Sequence, residues 1–210
     1  MTRLPPPMLA AVVACLLVLA LLTQQLLMQG AMTRIDESVT LFLAANRQGW
    51  LTRLMLWIAD AHETVKLLAV TALIAMWRFW RHDRAALRIL AVVPAGMLLN
   101  VALKNLLQRP RPSLPEPLVH LATYSFPSGH AVASTVFYGA VCALVFTRVR
   151  SPALRWLAAV GGVVMVLLVT FSRVYLGAHY LADVIAGVAV GTVCLAVALA
   201  CQQPRRAGNP

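Results

Sequence analysis

The run from residue 8 to residue 28 contains no charged side chain and is about the length a helix needs to cross a bilayer. Apolar runs recur at residues 64–80, 86–107, 127–149, 152–171 and 180–201. Hydrophobic residues make up 60% of the 210-residue chain, charged residues 12%, and mean hydropathy is +0.78. A soluble domain carries about a quarter charged residues. These numbers suit a chain whose surface faces lipid, and they predict an all-α, integral membrane bundle of six transmembrane helices. No linker, repeat or low-complexity tract divides it, so residues 1–210 read as a single membrane-embedded domain. A cleaved signal peptide is the rival reading of the first run, with Arg3 as its basic region. The run is long for that, however, and lacks a small-x-small cleavage site, so a retained helix is expected.

Residues 34–63 differ from the runs. Ile35, Val39, Phe42 and Leu43, then Leu51, Leu54, Met55 and Ile58, follow helical spacing among charged residues, and Asn46-Arg47-Gln48-Gly49 interrupts them. This predicts two short interfacial helices between the first and second spans, either touching substrate or simply connecting the spans. The net charge of +11 raises the question of nucleic acid, but the basic residues sit in short tracts between apolar runs, the distribution of topology signals and lipid-headgroup contacts. No nucleic-acid partner is expected. With cytoplasmic termini, ten of the 18 Lys and Arg fall inside: Arg3, Arg78, Arg81, Arg84, Arg88, Arg148, Arg150, Arg155, Arg205 and Arg206. The excess is small, but Lys104, Arg111 and Arg173 have a chemical reason to lie outside, and setting them apart supports N-in, C-in topology. Cys15, Cys142, Cys194 and Cys201 lie in or at the end of apolar runs without a CxxC pair, and read as small buried apolar residues.

Three polar islands break the apolar pattern. An ionisable group at the centre of a membrane helix costs about 3 kcal/mol on insertion scales, so such groups persist near the interface mainly as partners of one another or of a ligand. The first is KNLLQRPRP at 104–112. Lys104 offers a point charge and Arg111 a planar fork for two phosphate oxygens, on a backbone stiffened by Pro110 and Pro112. Alone, it reads equally as a basic anchor flanking the membrane. The second is YSFPSGH at 124–130, where Pro127 suits a first helical turn and Gly129 permits close approach to the backbone N–H groups of an anion cradle. Ser128 can add a hydrogen bond, and His130 can hand a proton to a leaving oxygen. Alone, it reads as a helix cap with an interfacial histidine. The third is SRVYLGAHYLAD at 172–183. His179 and Asp183 share a face if the segment is helical. The carboxylate would then fix the imidazole tautomer and support its developing charge, leaving the other nitrogen free to attack. The alternative is a His–Asp pair that ties two helices together.

Alternating topology brings all three islands to one side of the membrane. Three cations, two histidines and one carboxylate gathered there suit phosphoryl transfer, in which positioning and charge stabilisation supply most of the catalysis. Gly187 and Gly191 form a GxxxG expected to admit a neighbouring helix. Asn100, one turn before Lys104, either orients that lysine or bonds between helices. His62, Glu63 and His120 receive no role.

The pattern K-x6-RP, PSGH, SR-x5-H-x3-D resembles that of the type 2 phosphatidic acid phosphatase superfamily, which also contains vanadium haloperoxidases. Every motif position is filled, within residues 104–183: Lys104, Arg111, Pro112, Pro127, Ser128, Gly129, His130, Ser172, Arg173, His179 and Asp183. The resemblance implies that His179 forms a phosphohistidine oriented by Asp183, and that His130 protonates the leaving group. Lys104, Arg111, Ser128, Gly129 and Arg173 would hold the phosphate. It implies no cofactor and no metal, and no carboxylate cluster in the sequence suits magnesium.

The expected function is a lipid phosphatase or diphosphatase in a bacterial inner membrane, acting at the non-cytoplasmic face. The favoured substrate is an isoprenoid diphosphate such as undecaprenyl diphosphate. Phosphatidic acid, phosphatidylglycerol phosphate and phosphotransfer to a second lipid are the alternatives. A vanadate haloperoxidase would be soluble and larger, and a non-catalytic scaffold would not need the complete set of residues.

Overall fold

The computed structural model describes residues 5–119 and 121–201. Arg3, Arg205, Arg206 and His120 therefore lie outside the described residues. All regular structure among these is helical: α1 (Pro6–Leu27), α2 (Ala31–Ala45), α3 (Gly49–Ala61), α4 (Thr64–Trp80), α5 (Arg84–Leu90), α6 (Val92–Leu107), α7 (Gly129–Arg148), α8 (Pro152–Tyr175) and α9 (Leu181–Ala200). Five stretches are long and apolar enough to cross a membrane: α1, the α5–α6 pair as one span, α7, α8 and α9. The run at residues 64–80 forms α4, whose 17 residues make it the shortest of the expected spans.

Local chemistry sets several boundaries. Pro6 and Pro152 each occupy the first turn of a helix, where proline's missing N–H costs nothing. Ser151 caps α8, and Asp83 caps α5 by accepting from the Ala86 N–H at 3.1 Å. The fourth run begins later than expected. Pro127 lies ahead of the N-cap Ser128 and α7 starts at Gly129, so the proline sets the approach to the helix and not its first turn.

α7 is the central helix and packs against α4, α5, α6, α8 and α9. Its small side chains Ala131, Val132, Ala133, Val136 and Ala140 are wholly buried. The GxxxG of α9 faces it. A Cβ on Gly187 would stand 2.6 Å from Ala131 Cβ and 2.7 Å from the Ser128 carbonyl oxygen, and one on Gly191 would stand 2.7 Å from Thr135 Cβ. These contacts are too short for any side chain, so both glycines set the α7–α9 spacing. The outer faces are apolar: Leu17, Leu98 and Leu106 are 65%, 73% and 76% exposed. An apolar rim of this kind is the surface expected when lipid is the solvent. The cysteines lie toward that rim: Cys15, Cys142 and Cys194 are half-buried and Cys201 is exposed, so they are not the buried residues expected of them.

The 34–63 segment does form two helices, broken at Asn46–Gln48, and it is more than a connector. Met55, Ile58 and Ala59 of α3 pack against Val169, Tyr175 and Leu176. The Gln48 N–H donates to the Tyr175 hydroxyl at 3.0 Å, and Arg47 donates to the carbonyls of Leu176 (3.3 Å) and Glu116 (3.1 Å). α2 and α3 are thereby fastened to the C-terminal end of α8, where the third island begins.

Candidate active site

The three islands meet. Lys104, in the last turn of α6, donates to the carbonyls of Tyr124 and of Ser125 (3.4 Å). The Ser128 N–H donates to the Asp183 carbonyl at 2.9 Å, joining the second island to the third. Asn100 bonds away from its own helix, with Nδ2 donating to the Pro127 carbonyl at 3.1 Å in the loop ahead of α7. It braces the approach to α7 and does not touch Lys104 in this arrangement.

His179 is not in a helix; it sits in the link between α8 and α9. Asp183 lies in the first turn of α9, and its Oδ2 accepts from the Tyr180 N–H at 2.9 Å. The expected pairing therefore arises through a helix cap and not through two residues on one helical face. His179 Nδ1 stands 3.5 Å from Asp183 Oδ2, a distance too long to count as a hydrogen bond, so Nδ1 has no hydrogen-bond partner. Arg111 Nη1 lies 3.2 Å from His179 Nε2 and also donates to the Ala178 carbonyl at 2.7 Å. A guanidinium only donates, so Nε2 must present its lone pair. The imidazole proton then belongs on Nδ1, toward the carboxylate. Burial pushes His179 down to about 4, further than Asp183 raises it, and Arg111 and Arg173 push the same way. The ring is neutral at pH 7.

The remaining expected residues belong to the same three islands. Arg111 Nε donates to the Thr123 carbonyl at 2.6 Å, and Nη2 to the Thr123 hydroxyl at 2.9 Å. Arg173 is buried with its Nε unpartnered, and the buried Ser128 hydroxyl is unpartnered too. Buried donors of this kind are costly unless they have an acceptor to meet. His130, in the first turn of α7, faces the Ala59 carbonyl of α3 and is within electrostatic reach of Arg173 and His179. Gly129 packs tightly against α6: a Cβ there would stand 3.2 Å from Asn100 Oδ1. Together these groups offer cations and hydroxyl donors for an oxyanion, an unprotonated ring nitrogen to attack it, and a second imidazole.

Sequence reasoning overlooked three residues. Arg109, counted only as an external charge, is 5% exposed and donates to Asp183 Oδ1 at 2.6 Å and to Asp36 Oδ2 at 2.7 Å. Burial opposes its charge, but the two carboxylates prevail and hold its pKa above the ordinary value. Asp36 of α2, 1% exposed, also accepts from the Ala182 N–H at 2.9 Å. Burial raises its carboxyl, while Ala182 and Arg109 pull it back. Ser125 donates its hydroxyl to Asp183 Oδ2. The repeated Arg-Pro of RPRP was the only available signal for Arg109. His62, assigned no role, joins α3 to α7 by a 2.6 Å contact with the Tyr138 hydroxyl.

Two apolar cavities of about 460 and 450 Å³ lie beside the polar cluster. They share Leu167, Thr170, Leu181 and Val184, and so form one groove between α8 and α9, walled by α2 at one end and α1 at the other. The ionisable groups do not line it, yet Val174 and Leu181 carry it to within two residues of Arg173 and His179.

Residues 85–207 match the sequence profile of the PAP2 superfamily. The chain is 33% identical over 164 residues to phosphatidylglycerophosphatase B of Bacillus subtilis, covering 77% of this chain and 80% of that protein. It is 30% identical over 184 residues to undecaprenyl-diphosphatase of Sulfolobus acidocaldarius, covering 84% of each. The crystal structure of a transmembrane PAP2-type phosphatidylglycerolphosphate phosphatase from Bacillus subtilis superimposes with a TM-score of 0.84 at 27% identity, over 94% of this chain and 98% of that one. With its three islands closed around one neutral histidine, the chain belongs to the PAP2 superfamily.

Proposed function

We propose that this membrane protein hydrolyses a lipid phosphate, with His179 Nε2 as the nucleophile. The observation that carries the reading is the Arg111–His179 contact, which leaves the lone pair of Nε2 facing a guanidinium built to hold phosphate oxygens. In the first step Nε2 attacks phosphorus and the bond to the lipid oxygen breaks. His130 gives that oxygen its proton, and the phosphoryl group remains on His179. In the second step His130 takes a proton from water, whose oxygen displaces the histidine and releases phosphate. Asp183 balances the charge that grows on the imidazole. Lys104, Arg111, Arg173, Ser128 and the Gly129 backbone neutralise the oxygens. No metal takes part.

The substrate we favour is an ester or anhydride phosphate on a membrane lipid, because the apolar groove lies directly beside the polar cluster. The Bacillus relatives support phosphatidylglycerol phosphate. The Sulfolobus relative supports undecaprenyl diphosphate, which a site on the outer face would also favour. We further infer six spans, with α4 crossing alongside the five longer ones, both termini cytoplasmic and the cluster outside. Arg78 and Arg148 both pair with Asp83, which supports a common basic side at the other ends of α4 and α7.

The test is phosphate release from both lipids in mixed micelles containing EDTA. Wild type should release phosphate and His179→Ala should not. Equal release by the two overturns the nucleophile assignment, and release that EDTA abolishes overturns the metal-free mechanism. Thiol labelling of cysteines placed at residues 113–118 should proceed from the outside; labelling from the cytoplasm overturns the topology.

A further inference from the structure

Asp183 has two oxygens and a divided set of partners. Oδ1 takes Arg109, whereas Oδ2 takes Ser125, the Tyr180 N–H and the 3.5 Å approach of His179 Nδ1. A lone guanidinium beside a carboxylate tends to engage both oxygens at once. Arg109 does not, because its other terminal nitrogen is taken by Asp36. Its orientation is fixed further by its own carbonyl, which accepts from the Ser125 N–H at 2.8 Å, and by the Tyr180 ring, whose centroid lies 4.2 Å from the guanidinium carbon. Asp36 is fixed in turn by the Ala182 N–H, one of the first-turn donors that α9 cannot satisfy internally. Asp36, Arg109 and Asp183 are each no more than 5% exposed, so solvent does little to screen the chain of contacts.

We propose that Asp36 and Arg109 are positioning residues for the reaction: Asp36 draws one side of Arg109 away, so that Arg109 grips only Oδ1 of Asp183 and leaves Oδ2 turned to His179 Nδ1. Loss of the Asp36 charge frees Arg109 to chelate Asp183 and compete with the imidazole. Loss of Arg109 leaves two buried carboxylates without their shared cation. α2 thus contributes to catalysis without touching substrate. The inference rests on His179 being the nucleophile.

Asp36→Asn separates this role from a purely structural one, because the amide oxygen can still accept from the Ala182 N–H while the ion pair is lost. Partners that orient a reacting group from behind typically matter about 10- to 100-fold, and a loss of that size in kcat is expected, with KM for the lipid phosphate within about twofold. Arg109→Met should show the same pattern, and Asp36→Asn/Arg109→Met should be no slower than Arg109→Met alone, since the two residues act as one unit. Folded fraction is checked by thermal unfolding in detergent. If Asp36→Asn does not fold, Arg109→Lys carries the test: a single ammonium nitrogen lacks the two fixed, separated terminal nitrogens that assign one carboxylate to each side of the fork, so kcat should fall at constant KM. Wild-type kcat in the folded variant tested, a raised KM at unchanged kcat, or losses that multiply in the double variant would each overturn the proposal. An active His179→Ala would sink the nucleophile assignment itself, whereas an inactive His179→Ala beside a fully active Asp36→Asn would sink only this inference.

Discussion

The state of His179 sets the pH behaviour. The proposed nucleophile is its neutral ring, and burial holds its pKa near 4. Above that pH the reactive form is fully populated, and below it the ring protonates. The acid limb of kcat/KM, which reports the free enzyme, should therefore lie near pH 4 and fall about tenfold per unit beneath it. Arg111 is one of the cations that depress this pKa, so Arg111→Gln should shift the limb to higher pH as well as weaken phosphate binding. A limb that stays in place when Arg111 is neutralised would show that the two groups do not communicate. Ser128→Ala addresses a different donor. Its buried hydroxyl has no partner within the protein, so the variant should fold normally and bind inorganic phosphate about fivefold more weakly, the worth of one hydrogen bond of about 1 kcal/mol. Unchanged phosphate inhibition would remove Ser128 from the site. At this scale Lys104, Arg111, His130, Arg173, His179 and Asp183 were legible because each lies in a short pattern whose spacing carries chemistry. Asp36 was not: it meets Arg109 across 73 positions and Ala182 across 146, and no local pattern in α2 distinguishes a buried aspartate from a solvated one.

Helices and their junctions decide how those residues meet. The apolar runs located the long helices well because, in lipid, apolarity must persist for the whole length of a span. Their ends were less legible. α8 continues through Arg173 to Tyr175, past the last purely apolar residue, because Tyr175 and Leu176 bury against α3 and Arg173 turns inward. The pairing of His179 with Asp183 on one face holds only if the third island is helical, but the chain leaves the helix at Leu176 and restarts at Leu181, with Gly177 at φ 72° making the turn. The GxxxG of α9 was legible as a packing motif, though not as part of the site. Ser128 occupies the N-cap position of α7 and is one of the proposed phosphate ligands, and its carbonyl would stand 2.7 Å from a Cβ on Gly187. Gly187→Ala should accordingly push α7 from α9. A stability loss of about 1–3 kcal/mol is expected from overpacking, read as a lower unfolding temperature in detergent. Because Ser128 and His130 move with α7, kcat should fall as well. Gly161→Ala is the matched control: no atom lies within 4 Å of a Cβ there, and both quantities should stay at wild-type values. A Gly187→Ala protein with unaltered stability would show that α7 and α9 do not rely on this close approach.

Taken whole, the molecule sets a charged cluster beside an apolar groove, and the groove bears on how substrate arrives. Its walls come from α1, α2, α8 and α9, elements far apart in sequence, which is why no single stretch of the chain announced it. A lipid chain gains little by leaving the bilayer for such a groove, since both surroundings are apolar. The groove should then act chiefly as a lateral path that lets the chain remain at membrane depth while the phosphate reaches Arg111. Blocking it is predicted to hinder long-chain substrates selectively. Leu167→Trp and Val184→Trp place bulk at positions common to both halves of the groove. Each should raise KM several-fold for a long-chain lipid phosphate in mixed micelles. Hydrolysis of a short, water-soluble phosphate monoester should be unaffected, because its phosphate need not enter through the membrane face. Equal loss on both substrates would mean that the bulk disturbs Arg173 or His179 directly, and equal retention would mean that the chain enters by another face. The comparison is informative because the groove lining and the proposed phosphate ligands Lys104, Arg111, Ser128, Gly129 and Arg173 share no side chain, so chain entry and phosphate chemistry can be altered one at a time.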